Sequence, residues 1–530
     1  MNRRKFLLSC SLAVPGILFH KTKGKFNLNE NFSLGSNKKF LDDDFIKKLA
    51  DNSIHLSNSL GASYSDFRVT NFKWERIFTR EDVIQNIRES EDYGFSVRVV
   101  LDGVWGFASS STINEDEVNR VSKVAVEIAK ANRKIQQRKV DLVPVPAYQD
   151  FWKTPIKKNP FDVKIDEKVN FLLSLNEKAK ALGADYCSSF IWSVNEWKYF
   201  ASSQGSYIKQ ELYRIYPGFD FTIIDKSTGK FESRNSLTTP IGKGYEYIEE
   251  YDFYGDLEKA VEETKMKQKA PSIEPGKKDI ILDPTNLWLV IHESCGHPTE
   301  LDRALGFEAN FAGTSFMTTD KLGKLKYGSE YINMVADRTQ KDGLATRGYD
   351  DDGVKTNRWH LIKKGLFVGY QTTREMASYI HEKESNGCAY ADSWSHFPIQ
   401  RMPNVSLTPG TKKLSLNDLI ADTEDGIYIV GDGSWSIDMQ RYNFQFTGQA
   451  FHQIKNGKIV GMYRDVAYQG NTVDFWNSCD AVCDESEYKL GGSFFCGKGE
   501  PEQVSPVSHG CSPARFRKVK ILNTSKEAGK

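Results

Sequence analysis

Apolar residues recur at helical spacing over residues 40–60, where Leu41, Ile46, Leu49 and Ala50 share one face and Gly61 ends the run. Strand-like stretches follow at 66–87 and 95–108, the second turning at Asp102-Gly103. A helix is predicted after Asn114, a good N-cap residue, with Val118, Val121, Val124, Ala125 and Ile128 in helical spacing. The Pro-bearing stretch VDLVPVPAYQDFWKTPIKKNP then separates this unit from the next. The pattern partly repeats. A helix over 166–181 ends in Leu182-Gly183-Ala184-Asp185-Tyr186, echoing Leu60-Gly61-Ala62-Ser63-Tyr64, and each leads into a strand pattern carrying a Trp, Trp197 and Trp74 respectively. Two related helix-plus-sheet units, about 40–140 and 160–265, are expected within an N-terminal α/β region of residues 40–270. The alternative is two helices that merely share a glycine stop.

A second linker, KQKAPSIEPGKKD, introduces a C-terminal domain over residues 271–526. It opens with a strand at 279–282 and a helix start at Asp283-Pro284-Thr285, then becomes strand-rich. Lys363-Lys364-Gly365 and Asn456-Gly457 sit between apolar alternations, as hairpin turns do. The expected fold class is α+β: a mixed helix-and-sheet N-terminal region followed by a β-rich C-terminal domain that carries one chemically important helix.

Composition narrows the class. The 530 residues include 71 Lys plus Arg and 70 Asp plus Glu, a net charge of +1, so nothing in the charge balance points to nucleic acid. Hydrophobic residues at 39% and charged residues at 27% suit a chain with a sizeable core, and no apolar run reaches 18 residues. Residues 1–30 read as an export signal and linker: Arg3, Arg4 and Lys5 precede a broken apolar stretch at 6–19, and Arg3-Arg4 before Phe6-Leu7 resembles a twin-arginine signal. A periplasmic location is expected. Eight cysteines, at 10, 187, 295, 388, 479, 483, 496 and 511, are too few for a disulfide scaffold, although Cys479 and Cys483 are near enough in sequence to pair.

The helix after Asp283 contains His292-Glu293-Ser294-Cys295-Gly296-His297. Two imidazoles plus one further protein ligand leave a catalytic zinc one open position, and a neighbouring Glu can take a proton from the water there. Metallopeptidase helices commonly space the two His at i, i+4; here the spacing is i, i+5, about 140° apart on a regular helix. The pair can converge if the turn widens to a π-type bulge or the helix ends there, and Gly296 and Pro298 suit such a break. The bland alternative is two buried, satisfied His with Glu293 solvated. Third-ligand candidates are Glu300, His360, His381, His396, His452, His509, Cys496 and Cys511; glycines flank Cys496, and Lys498 is placed to favour its thiolate.

At this point the residues resemble those of the TldD/PmbA family of metallopeptidases, whose helix carries the same H-E-x-x-x-H. The resemblance extends to the stretch GVKTNRWHLIKKGLFVGY at 353–370, to Arg401-Met402-Pro403-Asn404, to the run 425–471, to Cys496-Gly497-Lys498-Gly499 with Pro506-Val507, and to 95–108. It implies His292, His297 and Cys496 as ligands of one zinc ion per chain, with Glu293 as general base; ligand types alone admit iron as well. It also implies cleavage of unfolded or extended peptides, and a homodimer or a heterodimer with a paralogue of the same family. The export signal departs from the family's best-known members, which are cytoplasmic. The alternative function is a non-catalytic partner subunit with a structural metal.

Two further clusters carry ordinary readings. Asp350-Asp351-Asp352-Gly353 lacks the rest of a calcium loop and reads as a solvated turn. Trp435, Tyr442, Phe444 and Phe446 read as a sheet face packed on the core.

Overall fold

Helix α1 (Asp43–Ser59) buries Ile46, Leu49 and Ala50, and Gly61 at φ 98° turns the chain into strand β1 (Tyr64–Arg80). The structure, a computed structural model, describes residues 43–499 and 502–527; the expected export signal and Leu41 lie outside them. The alternation read as one strand over 66–87 is two strands. The chain reverses at Glu81-Asp82, with Glu81 at φ 55°, and β2 (Val83–Leu101) returns along β1. The first half of β2 is almost wholly exposed and carries Arg88, Glu89, Glu91 and Asp92, so pairing rather than apolar alternation makes it a strand. Asp102-Gly103 turns as expected, both at positive φ, into β3 (Val104–Ser110).

Asn114 caps α2 (Glu115–Asn132), accepting from the Glu117 N–H at 2.9 Å. The buried face is Val118, Val121, Ala125, Val126 and Ala129, rotated from the expected one, and Ile128 is 37% exposed. The linker contributes an edge strand, β4 (Gln149–Lys153). Then α3 (Ile165–Ala181), β5 (Tyr186–Ser202), β6 (Tyr207–Ile224), β7 (Phe231–Asn235) and α4 (Phe253–Lys269) follow the same order of helix, three strands and helix as α1 to α2. One sheet joins both sets in the order β3-β2-β1-β5-β6, with β4 and β7 on β6. β1 and β5 pair antiparallel at its centre. Lys73 faces Asn195 there, at the same sequence separation as Tyr64 from Tyr186, so the repeat is approximately two-fold symmetric about that pair.

Strand β8 (Gly276–Leu282) opens the β-rich half and leads into α5 (Pro284–Ile291), capped by the Asp283 side chain with Pro284 in the first turn. β8 lies between β15 (Asp425–Ile437), parallel to it, and β22 (Ala514–Asn523), antiparallel. From β22 the pairing runs through β18 (Val466–Asn471) and β16 (Asn443–Lys455) back to β15, closing a barrel. β17 (Lys458–Met462) hangs on β16 through Asn456-Gly457, and β19 (Cys479–Val482) pairs with β22. A second sheet orders β11 (Leu366–Phe367), β10 (Arg358–Lys363), β9 (Met334–Asp337) and β14 (Asn404–Leu407). Two ribbons complete the half: β12 (Ala389–Tyr390) with β13 (Ile399–Gln400), and β20 (Lys489–Lys498) with β21 (Gln503–Cys511). The architecture is α+β with a β-rich C-terminal half.

Phe444 and Phe446 pack into the core with Tyr468, Phe475 and Phe516, whereas Trp435 is 55% exposed. The expectation of a solvated turn at 350–353 is corrected. Asp350, Asp351 and Asp352 are buried: Asp351 pairs with Lys198 at 2.8 Å, and Asp352 shares Arg98 with Asp66. Asp350 instead accepts the backbone N–H groups of Asp352, Val354 and Ala389. The acidic run is thus a bolt between the N-terminal sheet and the β-rich half, which sequence-local reasoning reads as surface because its cations lie more than 150 residues away. All seven described cysteines are buried and free, Cys479 and Cys483 included.

Candidate metal centre

α5 does not continue as an α-helix. At His292–Gly296 it widens into a π turn, then narrows to a short 3₁₀ turn at His297–Thr299. The N–H of His297 donates to the carbonyl of His292, the i, i+5 bond that defines the wider turn and matches the His spacing. Three contacts hold it. Trp476 Nε1 donates to Ser294 Oγ at 2.9 Å, Tyr327 Oη to the Ser294 carbonyl at 3.0 Å, and Gln371 Nε2 to the Gly296 carbonyl at 2.6 Å. Gly296 has an ordinary helical φ of −56°, so backbone freedom is not what the position requires. A Cβ there would lie 2.5 Å from Met402 Sδ, and Met402 is fully buried, so a close approach requires the glycine.

The π turn brings His292 and His297 to one side, and β20 delivers Cys496 opposite them. One ligand atom from each lies within 4.8 Å of the others, and Cys496 Sγ is 3.8 Å from His297 Nε2. Ligands of a tetrahedral zinc with bonds near 2.0–2.3 Å stand about 3.5 Å apart, so the donor set fits. The remote nitrogens agree with it. His509 Nδ1 is 2.8 Å from the Val405 carbonyl, which can only accept, so that nitrogen carries the proton. In the neutral ring His509 Nε2 then accepts from His292 Nδ1 at 2.7 Å, leaving His292 Nε2 with its lone pair free. Burial holds both rings below their ordinary pKa, His509 well below. His297 Nδ1 donates to Glu300 Oε2 at 2.8 Å, so His297 Nε2 is likewise free.

Two sequence-level candidates therefore support ligands instead of acting as ligands: Glu300 orients His297, and His509 orients His292. Lys498 is corrected as well. Its ammonium is fully buried between Glu300 at 2.9 Å and Asp302 at 2.8 Å rather than beside the thiol. Burial raises the Glu300 carboxyl, but Lys498 and His297 outweigh it and hold the group well below its ordinary range. Cys496 follows the same logic: burial pushes the thiol up, while His297 and Arg401 pull it below its ordinary value. Arg401 grips the backbone here, donating to the Cys496 carbonyl and, at 2.5 Å, to that of Gln503. His360, His381, His396, His452 and Cys511 lie outside the cluster; His396 pairs with Asp392 and His452 with Glu263.

Glu293 sits beside the cluster, buried, with Arg441 Nη1 at 2.5 Å from Oε2. Burial raises its carboxyl, and His297, His292 and Arg441 together bring it below the usual range, so it is an anion able to accept a proton. Arg441 had no signal in the sequence. It occupies a tight β15–β16 connection at φ 64°, where the Asp438 carboxylate accepts the N–H groups of Gln440, Tyr442 and Asn443.

Family comparisons agree with this geometry. The model described as the PmbA/TldA metallopeptidase C-terminal domain matches residues 275–523, and that of PmbA/TldA metallopeptidase domain 1 matches 65–129. A metalloprotease of Methanocaldococcus jannaschii is 29% identical over 453 residues, covering 84% of this chain and 94% of that protein. A zinc metalloprotease TldD homologue of Saccharolobus solfataricus is 24% identical over 485 residues, 88% of this chain and 98% of its own. The crystal structure of TldE from Thermococcus kodakarensis shares the fold, with a TM-score of 0.69 at 19% identity over 89% of this chain and 99% of that one. With both family models matched in order along the chain, this protein belongs to the TldD/PmbA family of metallopeptidases.

Proposed function

We propose that the chain is a zinc-dependent peptidase acting on unfolded or extended peptides, with His292, His297 and Cys496 as the zinc ligands and Glu293 as general base. The observation that carries this reading is the convergence of three ligand atoms within 4.8 Å, on a turn whose two imidazoles have their remote nitrogens engaged. Bound by these residues, zinc would supply Lewis-acid polarisation of the scissile carbonyl and a more acidic attacking water. Glu293 accepts the water proton on its carboxylate and hands it to the leaving amine. Arg441 orients that carboxylate. An extended peptide that added as a strand to the β-rich half would be read through its backbone rather than its sequence.

The test compares zinc-loaded wild type with Glu293→Gln at equal metal content, using mass spectrometry of an unfolded peptide mixture. New termini are expected from the wild type alone, with the variant slower by roughly 10² or more. Parallel loss of zinc and activity would overturn the role of Glu293. Absence of cleavage by fully loaded wild type would favour a partner subunit with a structural metal. The family resemblance supports a dimer, with itself or a paralogue. The twin-arginine pattern at residues 3–4 supports export to the periplasm. Replacing Arg3 and Arg4 with Lys should hold the protein in the cytoplasmic fraction; unchanged fractionation would remove that assignment.

A further inference from the structure

A cavity of about 250 Å³ lies between the N-terminal sheet and the ribbon that carries Cys496. β1 contributes Trp74 and Arg76 to its wall, β6 contributes Arg214, and β20 contributes Phe494 and Phe495, the two residues before the metal-cluster cysteine. The walls are aromatic. Trp74 stacks on Phe495 at 6.4 Å and meets Phe494 edge-on at 6.2 Å, and Phe495 remains 44% exposed.

The cations in this wall are under-satisfied. Arg214 is 98% buried; it donates to Glu196 through Nη1 and to the Leu344 carbonyl through Nε, while Nη2 has no partner among the described residues. Arg76 lies over Trp74 at 4.8 Å and Trp192 at 5.3 Å; its Nε is also without a partner among the described residues, and its neighbour on β2 is Arg88. Asp392 is the carboxylate in the lining, and both its oxygens are engaged, by His396 Nδ1 at 2.6 Å and the Val504 N–H at 2.8 Å. A buried donor without a partner is unfavourable, so an acceptor brought in by a ligand is favoured here.

We propose that this cavity is a substrate subsite that takes a peptide carboxylate together with an adjoining apolar or aromatic group. The carboxylate would accept from Arg76 and Arg214, and the ring would enter the aromatic walls. Because the cavity and the metal cluster flank consecutive residues of β20, the subsite selects where along a peptide the bond is cut. The carboxylate is either a peptide C-terminus or an acidic side chain. The inference rests on the peptidase reading for its role in cleavage, but its test needs no turnover.

The experiment measures binding of N-acetylphenylalanine, its amide, and N-acetylglutamate α-amide to the zinc-loaded protein by calorimetry and by Trp74 and Trp192 fluorescence, in wild type and Arg76→Gln. A carboxylate ligand accepting from both arginines should bind about a hundred-fold tighter than the neutral amide, the size of two charge-assisted hydrogen bonds, and Arg76→Gln should cut that ratio about ten-fold. Preference for N-acetylphenylalanine identifies the C-terminus as the source, and preference for N-acetylglutamate α-amide identifies an acidic side chain. Trp74→Ala, checked for an unchanged melting profile, should weaken all three ligands. Equal affinity for acid and amide, or no binding, overturns the subsite. An acid preference left undiminished by Arg76→Gln also overturns it, because the carboxylate would then sit away from this wall.

Discussion

Both candidate histidine ligands in this protein are held from behind by a hydrogen bond to the remote ring nitrogen. The Val405 carbonyl fixes His509, His509 fixes His292, and Glu300 fixes His297 while Lys498 and Arg303 hold Glu300. Cys496→Ser should therefore lower zinc occupancy outright, and Glu300→Gln should weaken affinity about 10–100-fold while leaving all three ligand atoms in place. Competition against a chromophoric chelator reads both. Full zinc affinity in the serine variant would return the third position to another residue, and an unaltered affinity in Glu300→Gln would mean that the remote hydrogen bond does not tune the site. The two His and Glu293 were legible in the sequence because one short segment contains them. Arg441 was not, since it meets Glu293 across 148 residues and sits in a turn with no chemical signature.

At the scale of elements, the π turn converts an unusual spacing into a usable one. An i, i+5 pair diverges on an α-helix, and a single wider turn realigns it at the cost of displaced carbonyls, which Tyr327 and Gln371 cap. Gly296 is the packing condition for that turn. Gly296→Ala should destabilise the fold by about 1–3 kcal/mol through overpacking against Met402. Met402→Ala in the same chain should recover part of the loss, so a double-mutant cycle by denaturant melts reads the coupling. Additive effects would show that the two side chains do not compete for space. The sequence exposed the need for distortion but misread the reason for the glycine, because the neighbour that excludes a Cβ comes from the distant 401–404 segment. Turns carrying positive-φ residues, such as Asp102-Gly103 and Asn456-Gly457, were readable for the opposite reason: their chemistry is local. The exposed half of β2 was unreadable, since only its register with β1 makes it a strand.

For the whole molecule, the decisive contact is the buried acidic run that joins the two halves. Lys198 on β5 and Arg68 on β1 reach Asp351, and Arg98 on β2 reaches Asp352. Sequence reading assigned this run to solvent, because charged residues clustered beside a glycine usually are solvated, and their partners become visible only once β1, β2 and β5 are assembled. Burial raises the Asp351 carboxyl, but Lys198 and Arg68 more than offset it and bring it down to about 2 from an ordinary value of 3.8. A depressed folded-state pKa adds stability that is present above the unfolded value and disappears as pH falls through the folded one. Asp351→Asn should therefore lower stability at neutral pH by about 2 kcal/mol, the size of that shift, with Lys198 still paired to Glu196 at 2.9 Å. The gap between wild type and variant should narrow from about pH 4 downward and largely close near pH 2, as Asp351 itself takes up a proton. Denaturant melts at pH 7, 4 and 2 read this directly. A gap that stays constant to pH 2 would assign the destabilisation to lost hydrogen-bond geometry rather than charge, and no gap at pH 7 would mean that the ion pairs of Asp351 do not hold the two halves together.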